Sequence, residues 1–152
     1  MQIKYKKLHK DAITPQYATA GSACLDIYVH GCDWYQSAKD HGIHIPQGQT
    51  VVLETGLAFE IPEDHVMLIF SRSGHGFKNN TRLANCVGVI DSDYRGELKV
   101  KLTVDTSGGI HINAGDRIAQ ALVIPYPRLT LQEVNELSTT ERGTGGLGST
   151  GA

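Results

Sequence analysis

Apolar and polar residues alternate with a period of two along much of this chain. The clearest run is Glu97-Leu98-Lys99-Val100-Lys101-Leu102-Thr103-Val104. Successive side chains of a strand point to opposite faces. Leu98, Val100, Leu102 and Val104 therefore face a core, while Glu97, Lys99 and Lys101 face out. Thr50-Val51-Val52-Leu53 and Gly56-Leu57-Ala58-Phe59-Glu60-Ile61 read as two further strands, the second stopped by Pro62. His65-Val66-Met67-Leu68-Ile69-Phe70 and Arg117-Ile118-Ala119-Gln120-Ala121-Leu122-Val123-Ile124 read as buried strands. Turn signals separate these runs, and few segments could hold a long helix. The pattern predicts an all-β sandwich or barrel. Pro125-Tyr126-Pro127 stops the last strand. Beyond it the chain turns polar and ends in Gly143-Thr144-Gly145-Gly146-Leu147-Gly148-Ser149-Thr150-Gly151, too glycine-rich to fold on itself. The expected organisation is one β domain over residues 1–137 and a flexible Gly-rich C-terminal arm over residues 138–152.

Composition narrows the function. A length of 152 residues suits one domain with a core of its own. Lys plus Arg number 14 and Asp plus Glu 16, so no cationic excess is available to displace counterions, and nucleic acid is not an expected partner. Cys24, Cys32 and Cys86 are odd in number and lack C-x-x-C spacing, which argues against a disulfide framework and for a reducing compartment. There is neither an apolar signal segment nor a membrane-length apolar run, so the expected location is cytoplasmic, with no membrane partner. The seven histidines include no H-x-x-x-H pair, and neither a catalytic histidine nor zinc is expected.

Three segments carry candidate chemistry. Ser71-Arg72-Ser73-Gly74 follows a buried strand, where a serine can cap a short helix, Gly74 permits a sharp turn, and Arg72 adds a cation for an anion. Gly88-Val89-Ile90-Asp91-Ser92-Asp93-Tyr94-Arg95-Gly96 places two carboxylates at i and i+2 after an apolar run. A carboxylate there can act as general base on water or hold Mg²⁺, although Asp-x-Asp also occurs in plain turns. Upstream, Leu83-Ala84-Asn85-Cys86-Val87-Gly88 is expected to form a hairpin with Val89-Ile90 whose backbone reads a flat polar ring. In the tail, backbone N–H groups, the Ser149 and Thr150 hydroxyls and Arg142 suit anionic oxygens. No Gly-Lys-Ser/Thr occurs, so this is not a Walker A loop. The stretch from Gly31 to Gly42, with Trp34 and Tyr35, reads as a surface loop.

Taken in order, five segments resemble the motifs of the trimeric dUTPase family, the deoxyuridine triphosphate nucleotidohydrolases. They are Gly21-Ser22-Ala23-Cys24-Leu25-Asp26-Ile27, Ser71 to Gly74, Gly88 to Gly96, Gly115-Asp116-Arg117-Ile118-Ala119-Gln120, and Arg142 to Gly151. The resemblance implies a jelly-roll-like fold and a homotrimer whose active sites are shared between subunits. It implies hydrolysis of dUTP to dUMP and pyrophosphate, with Mg²⁺ on the triphosphate. It assigns Asp91 as the base that activates water and Asp26 to the metal's water shell. Arg72, Ser73, Gln120, Arg142, Ser149 and Thr150 fall on the phosphates, and Gly74 and Gly148 are also assigned to substrate binding. Asn85, Gly88 and Val89 fall on the uracil edge, Tyr94 on the deoxyribose, and Leu147 over the base.

Two motifs depart from the family's pattern. Ser71 and His75-Gly76 stand where proline and a small apolar residue are usual, and Leu147 stands where the arm usually carries an aromatic. Two other readings share the fold. A dCTP deaminase requires a glutamate on the strand after the third motif, where only Glu97 is available. A nucleotide-gated regulatory protein would use a partner-binding surface such as the Gly31 to Gly42 loop.

Overall fold

The computed structural model describes residues 1–32, 42–147 and 149. Two five-stranded sheets hold ten of the twelve strands found there. One sheet runs β1 (Lys4–Lys7), β6 (Thr50–Glu60), β10 (Glu97–Val104), β8 (Thr81–Leu83), with β4 (Gly31–Cys32) also paired to β6. The other runs β2 (Gln16–Tyr17), β3 (Leu25–Tyr28), β12 (Arg117–Pro125), β7 (His65–Phe70), β9 (Gly88–Ile90). A separate ribbon pairs β5 (Ile43–Ile45) with β11 (Ile110–Ile112), and one short helix, α1, spans Ser73–Asn79. Strand neighbours are antiparallel and mostly non-consecutive in sequence, so the chain crosses repeatedly between sheets in the jelly-roll manner.

The alternation in β10 places its side chains as the sequence predicts. Leu98, Val100, Leu102 and Val104 are buried, whereas Lys99 and Lys101 are exposed. They meet Leu53 and Leu57 of β6 and, from the other sheet, Ile27, Met67 and Ile118 in one core. Fully burying side chains of this size stabilises the fold by about 1.5–3 kcal/mol each before chain entropy is subtracted.

Three local expectations differ from the structure. The two runs around Glu54 and Thr55 are one strand of eleven residues, β6. Its polar interruption is absorbed where the β6–β10 register shifts between Glu97 and Lys99. There the buried Thr55 hydroxyl donates to the Leu98 carbonyl at 2.7 Å, and Glu97 accepts the Gly56 N–H at 2.7 Å. Gly56 has φ +68, and a Cβ on it would stand 2.9 Å from the Ala12 Cβ. Leu83 and Val89 do not form a mutual hairpin either. β8 pairs with β10 and β9 with β7, so residues 84–87 bridge the two sheets, with Cys86 at φ 63. Finally, Ser71 does not cap α1. The N-cap is Arg72, without a side-chain cap, and the Ser71 hydroxyl instead accepts the Leu83 N–H at 2.9 Å. Gly74 lies inside α1 rather than at a sharp turn.

Among the described residues no strand or helix follows Pro125. Leu129, Leu131 and Leu137 are largely exposed there. The hydrogen bonds at Arg142, Gly143, Gly145 and Ser149 run to neighbours within the same segment. No helix of the described residues is long and apolar enough to cross a membrane.

Candidate active site

Strand register assembles the first cluster. Asp26 on β3 pairs with Gln120 on β12, which pairs with Phe70 on β7. The chain leaves β7 through Ser71, so Arg72 and Ser73 arrive beside that row. The Asp26 carboxylate is only 7% exposed. Arg72 Nε donates to its Oδ1 at 3.2 Å and Arg117 Nη1 to its Oδ2 at 3.1 Å. Burying a charge is costly unless it is paired and hydrogen-bonded, and two guanidinium groups answer that need here. The Arg117 carbonyl takes two donors, Arg72 Nη1 at 3.2 Å and His75 Nε2 at 2.9 Å. That bond fixes the proton of a neutral His75 on Nε2, and its buried Nδ1 has no hydrogen-bond partner. Gln120 Nε2 donates to the Ser71 carbonyl at 3.2 Å. Asp26, Arg72, Arg117 and Gln120, together with Ser22 and Ser73, line a polar cleft of about 330 Å³. A Cβ on Gly74 would meet no described atom within 4 Å, so the α1 backbone at its edge is open to close approach.

The second cluster lies at the other end of β7. β9 pairs Gly88 with Ile69 and Ile90 with Met67, which brings Asp91 level with Val66. Gly88 packs closely against β7, since a Cβ on it would lie 3.0 Å from that of Ile69. Asp91 and Tyr94 are exposed, and a turn links them through the Tyr94 N–H to the Asp91 carbonyl at 3.2 Å. The Tyr94 ring folds back over Gly96, where any Cβ would collide with it, and its hydroxyl donates to the Glu97 carbonyl at 3.0 Å. Val89, Asp91, Tyr94 and Lys99 border a cleft of about 250 Å³. Val89 is 61% exposed on the edge strand β9.

The two clusters do not meet. Asp91 and Asp26 stand four residues apart along the strands and three strands apart across the sheet. At about 3.3 Å per residue and 4.8 Å per strand the separation is roughly 20 Å. Their clefts share no lining residue. Asn85 sits between β8 and β9 near Gly88. Arg142 and Leu147 are exposed in the tail, far along the chain from both clusters. Ser149 is exposed too, while Gly148 and Thr150 lie outside the described residues, as does the aromatic segment 33–41.

A sequence model of the dUTPase family matches residues 10–151. The chain belongs to the dUTPase family. It is 42% identical over 151 residues to the deoxyuridine 5'-triphosphate nucleotidohydrolase of Nautilia profundicola, covering 99% of each chain. It is 40% identical to that of Helicobacter hepaticus, covering 99% of this chain and 89% of the relative. Its fold is similar to that of the Staphylococcus bacteriophage 80alpha dUTPase with dUPNHPP, at a TM-score of 0.83, 26% identity and 99% coverage of both chains. The D95-substituted dUTPase of phage phi11, described with a coordinated structural Mg(II) ion, shares the fold at a TM-score of 0.75, 22% identity and 90% coverage of this chain and 98% of that one.

This dUTPase-family chain is therefore a hydrolase with a jelly-roll fold. The one glutamate the deaminase reading could use, Glu97, accepts the Gly56 N–H at the β6–β10 shift. Among the described residues no group of three or more His, Cys, Asp or Glu is placed to hold a metal. Both Asp26 oxygens already accept from arginines, so direct ligation by Asp26 does not fit. A contact through a metal-bound water does fit, since each carboxylate oxygen can accept a second hydrogen bond. Sequence reasoning missed Arg117 and His75 as site residues. Arg117 lay in plain view within the fourth motif, whereas nothing local marks His75 as a partner of a carbonyl 42 residues away.

Proposed function

We propose that this dUTPase hydrolyses dUTP to dUMP and pyrophosphate in sites completed by neighbouring copies of itself. The observation that carries this reading is the separation of Asp91 and Tyr94 from the Asp26, Arg72, Ser73 and Gln120 cluster within one chain. A triphosphate needs a base at its cleaved anhydride and cations along its oxygens together. Two ends of β7 from different copies supply both, and a closed threefold ring satisfies every copy equally.

In this mechanism the Asp91 carboxylate accepts a proton from water as its oxygen attacks phosphorus. The anhydride joining dUMP to pyrophosphate breaks, and pyrophosphate leaves with the electron pair. Arg72 and Ser73 donate to phosphate oxygens, Gln120 adds an amide N–H, and Arg117 holds the buried Asp26 in place. Mg²⁺ would ride on the triphosphate oxygens and neutralise developing charge, with Asp26 reaching it through water. Backbone groups from Asn85 to Val89 read the uracil edge. Tyr94, held over Gly96, packs against the deoxyribose and excludes a 2′-hydroxyl. The arm, residues 138–152, closes with Arg142, Ser149 and Thr150 on phosphates and Leu147 over the base. A cytoplasmic location suits this substrate and the three free thiols.

The test is pyrophosphate release from dUTP, dCTP, dTTP and UTP, with ammonia release measured from dCTP. The reading expects pyrophosphate from dUTP far above the other three. Ammonia from dCTP, or equal hydrolysis of all four, would overturn it.

A further inference from the structure

The β5–β11 ribbon carries a feature that the nucleotide chemistry leaves unused. His44 and His111 stand directly opposite each other in its register, flanked by the pairs Ile45–Ile110 and Ile43–Ile112. All four isoleucines are buried and both histidines are exposed, so the imidazoles share the solvent face. Their ring centroids are 4.6 Å apart and tilted by 45°. Imidazole nitrogens bind zinc-like ions at about 2.0–2.1 Å, which puts each ring centre about 3.2 Å from the metal. Two such rings at an angle of about 90–110° have centres roughly 4.5–5.2 Å apart. The observed pair falls inside that range.

We propose that His44 and His111 form an open two-imidazole site for a divalent first-row transition ion such as Zn²⁺ or Ni²⁺. Water fills the remaining positions. Mg²⁺ is excluded by ligand type, because it takes oxygen ligands and these are nitrogens. The site is built by cross-strand register between residues 67 apart in sequence, so no helical or C-x-x-C spacing marks it. A bound ion would tie β5 to β11, and a two-stranded ribbon is the kind of element that gains from such a link. Because the pair is assembled only in the folded chain, binding raises the unfolding temperature.

The experiment titrates the untagged full-length protein with Ni²⁺ in excess Mg²⁺, following heat of binding and unfolding temperature. The expected result is saturable binding of one ion per chain and a higher unfolding temperature. His44→Gln and His111→Gln should each weaken binding by at least about 10–100-fold, the loss typical even of outer-shell partners. The control His9→Gln disturbs a different pair, His9 stacked on His30, and should bind Ni²⁺ as the parent does. Hydrolysis of dUTP should be unchanged in the His44 and His111 variants, so failure of this site is distinguishable from failure of the nucleotide reading. Absence of saturable binding, or equal binding by the His44→Gln and His111→Gln proteins, would overturn the proposal.

Discussion

Asp91 and His75 illustrate two ways in which one side chain can matter. Asp91 is exposed at the end of a strand pairing, where its carboxylate can reach a ligand and a water. Asp91→Asn keeps the shape but removes the proposed base. Turnover should fall by about 10²–10⁴-fold with nucleotide binding retained, as read by single-turnover rates beside equilibrium binding. Near-normal turnover would remove Asp91 from the role. His75 trades a hydrogen bond to the Arg117 carbonyl against a buried nitrogen with no partner. A hydrogen bond contributes about 0.5–1.5 kcal/mol net, and an unsatisfied buried polar atom costs about 1–3 kcal/mol. His75→Leu should therefore leave the denaturant midpoint unchanged or raise it, and a clear drop would show that the Arg117 contact dominates. Tyr94→Ala removes the wall that we propose lies against the sugar. The ratio of kcat/KM for dUTP over UTP should fall, and an unchanged ratio would separate Tyr94 from sugar selection.

At the scale of elements, β6 turns on one glycine. Gly56 needs φ +68 and has no room for a Cβ beside Ala12. Gly56→Ala should cost about 1–3 kcal/mol from the left-handed backbone alone, plus the clash, as read from the urea midpoint. An unchanged midpoint would mean that the β6–β10 shift can re-form elsewhere. The same segment shows where the sequence stops being legible. Strict alternation made β10 and its buried face readable. The Glu54-Thr55 interruption in β6 did not look like strand, because the groups that satisfy it, Leu98 and Glu97, lie more than forty residues away. The Leu83 to Ile90 stretch looked like a hairpin because its length fits one, yet each half had a longer-range partner in a different sheet. The arm was legible as a segment without a core, and its described part makes local hydrogen bonds. Its role is testable by ending the chain before Thr140. The β core and oligomeric mass should persist by light scattering while turnover is nearly lost. Full activity without the arm would refute closure.

For the whole molecule, the motifs name the residues proposed for the site, but not their grouping. Sequence order cannot reveal that Asp91 and Arg72 occupy opposite ends of β7, since that depends on the β9–β7 register. On the proposed reading, the separation of roughly 20 Å makes assembly part of the chemistry. The most direct measurement is complementation between two inactive variants, Asp91→Asn and Arg72→Ala, mixed under conditions that exchange subunits. Mixed assemblies are first verified by native mass. If each site takes Asp91 from one copy and Arg72 from another, a random equal mixture contains intact sites at about a quarter of the wild-type number, and hydrolysis returns to about that level. Activity no greater than that of the two variants apart, in verified mixed assemblies, would contradict a site shared between copies.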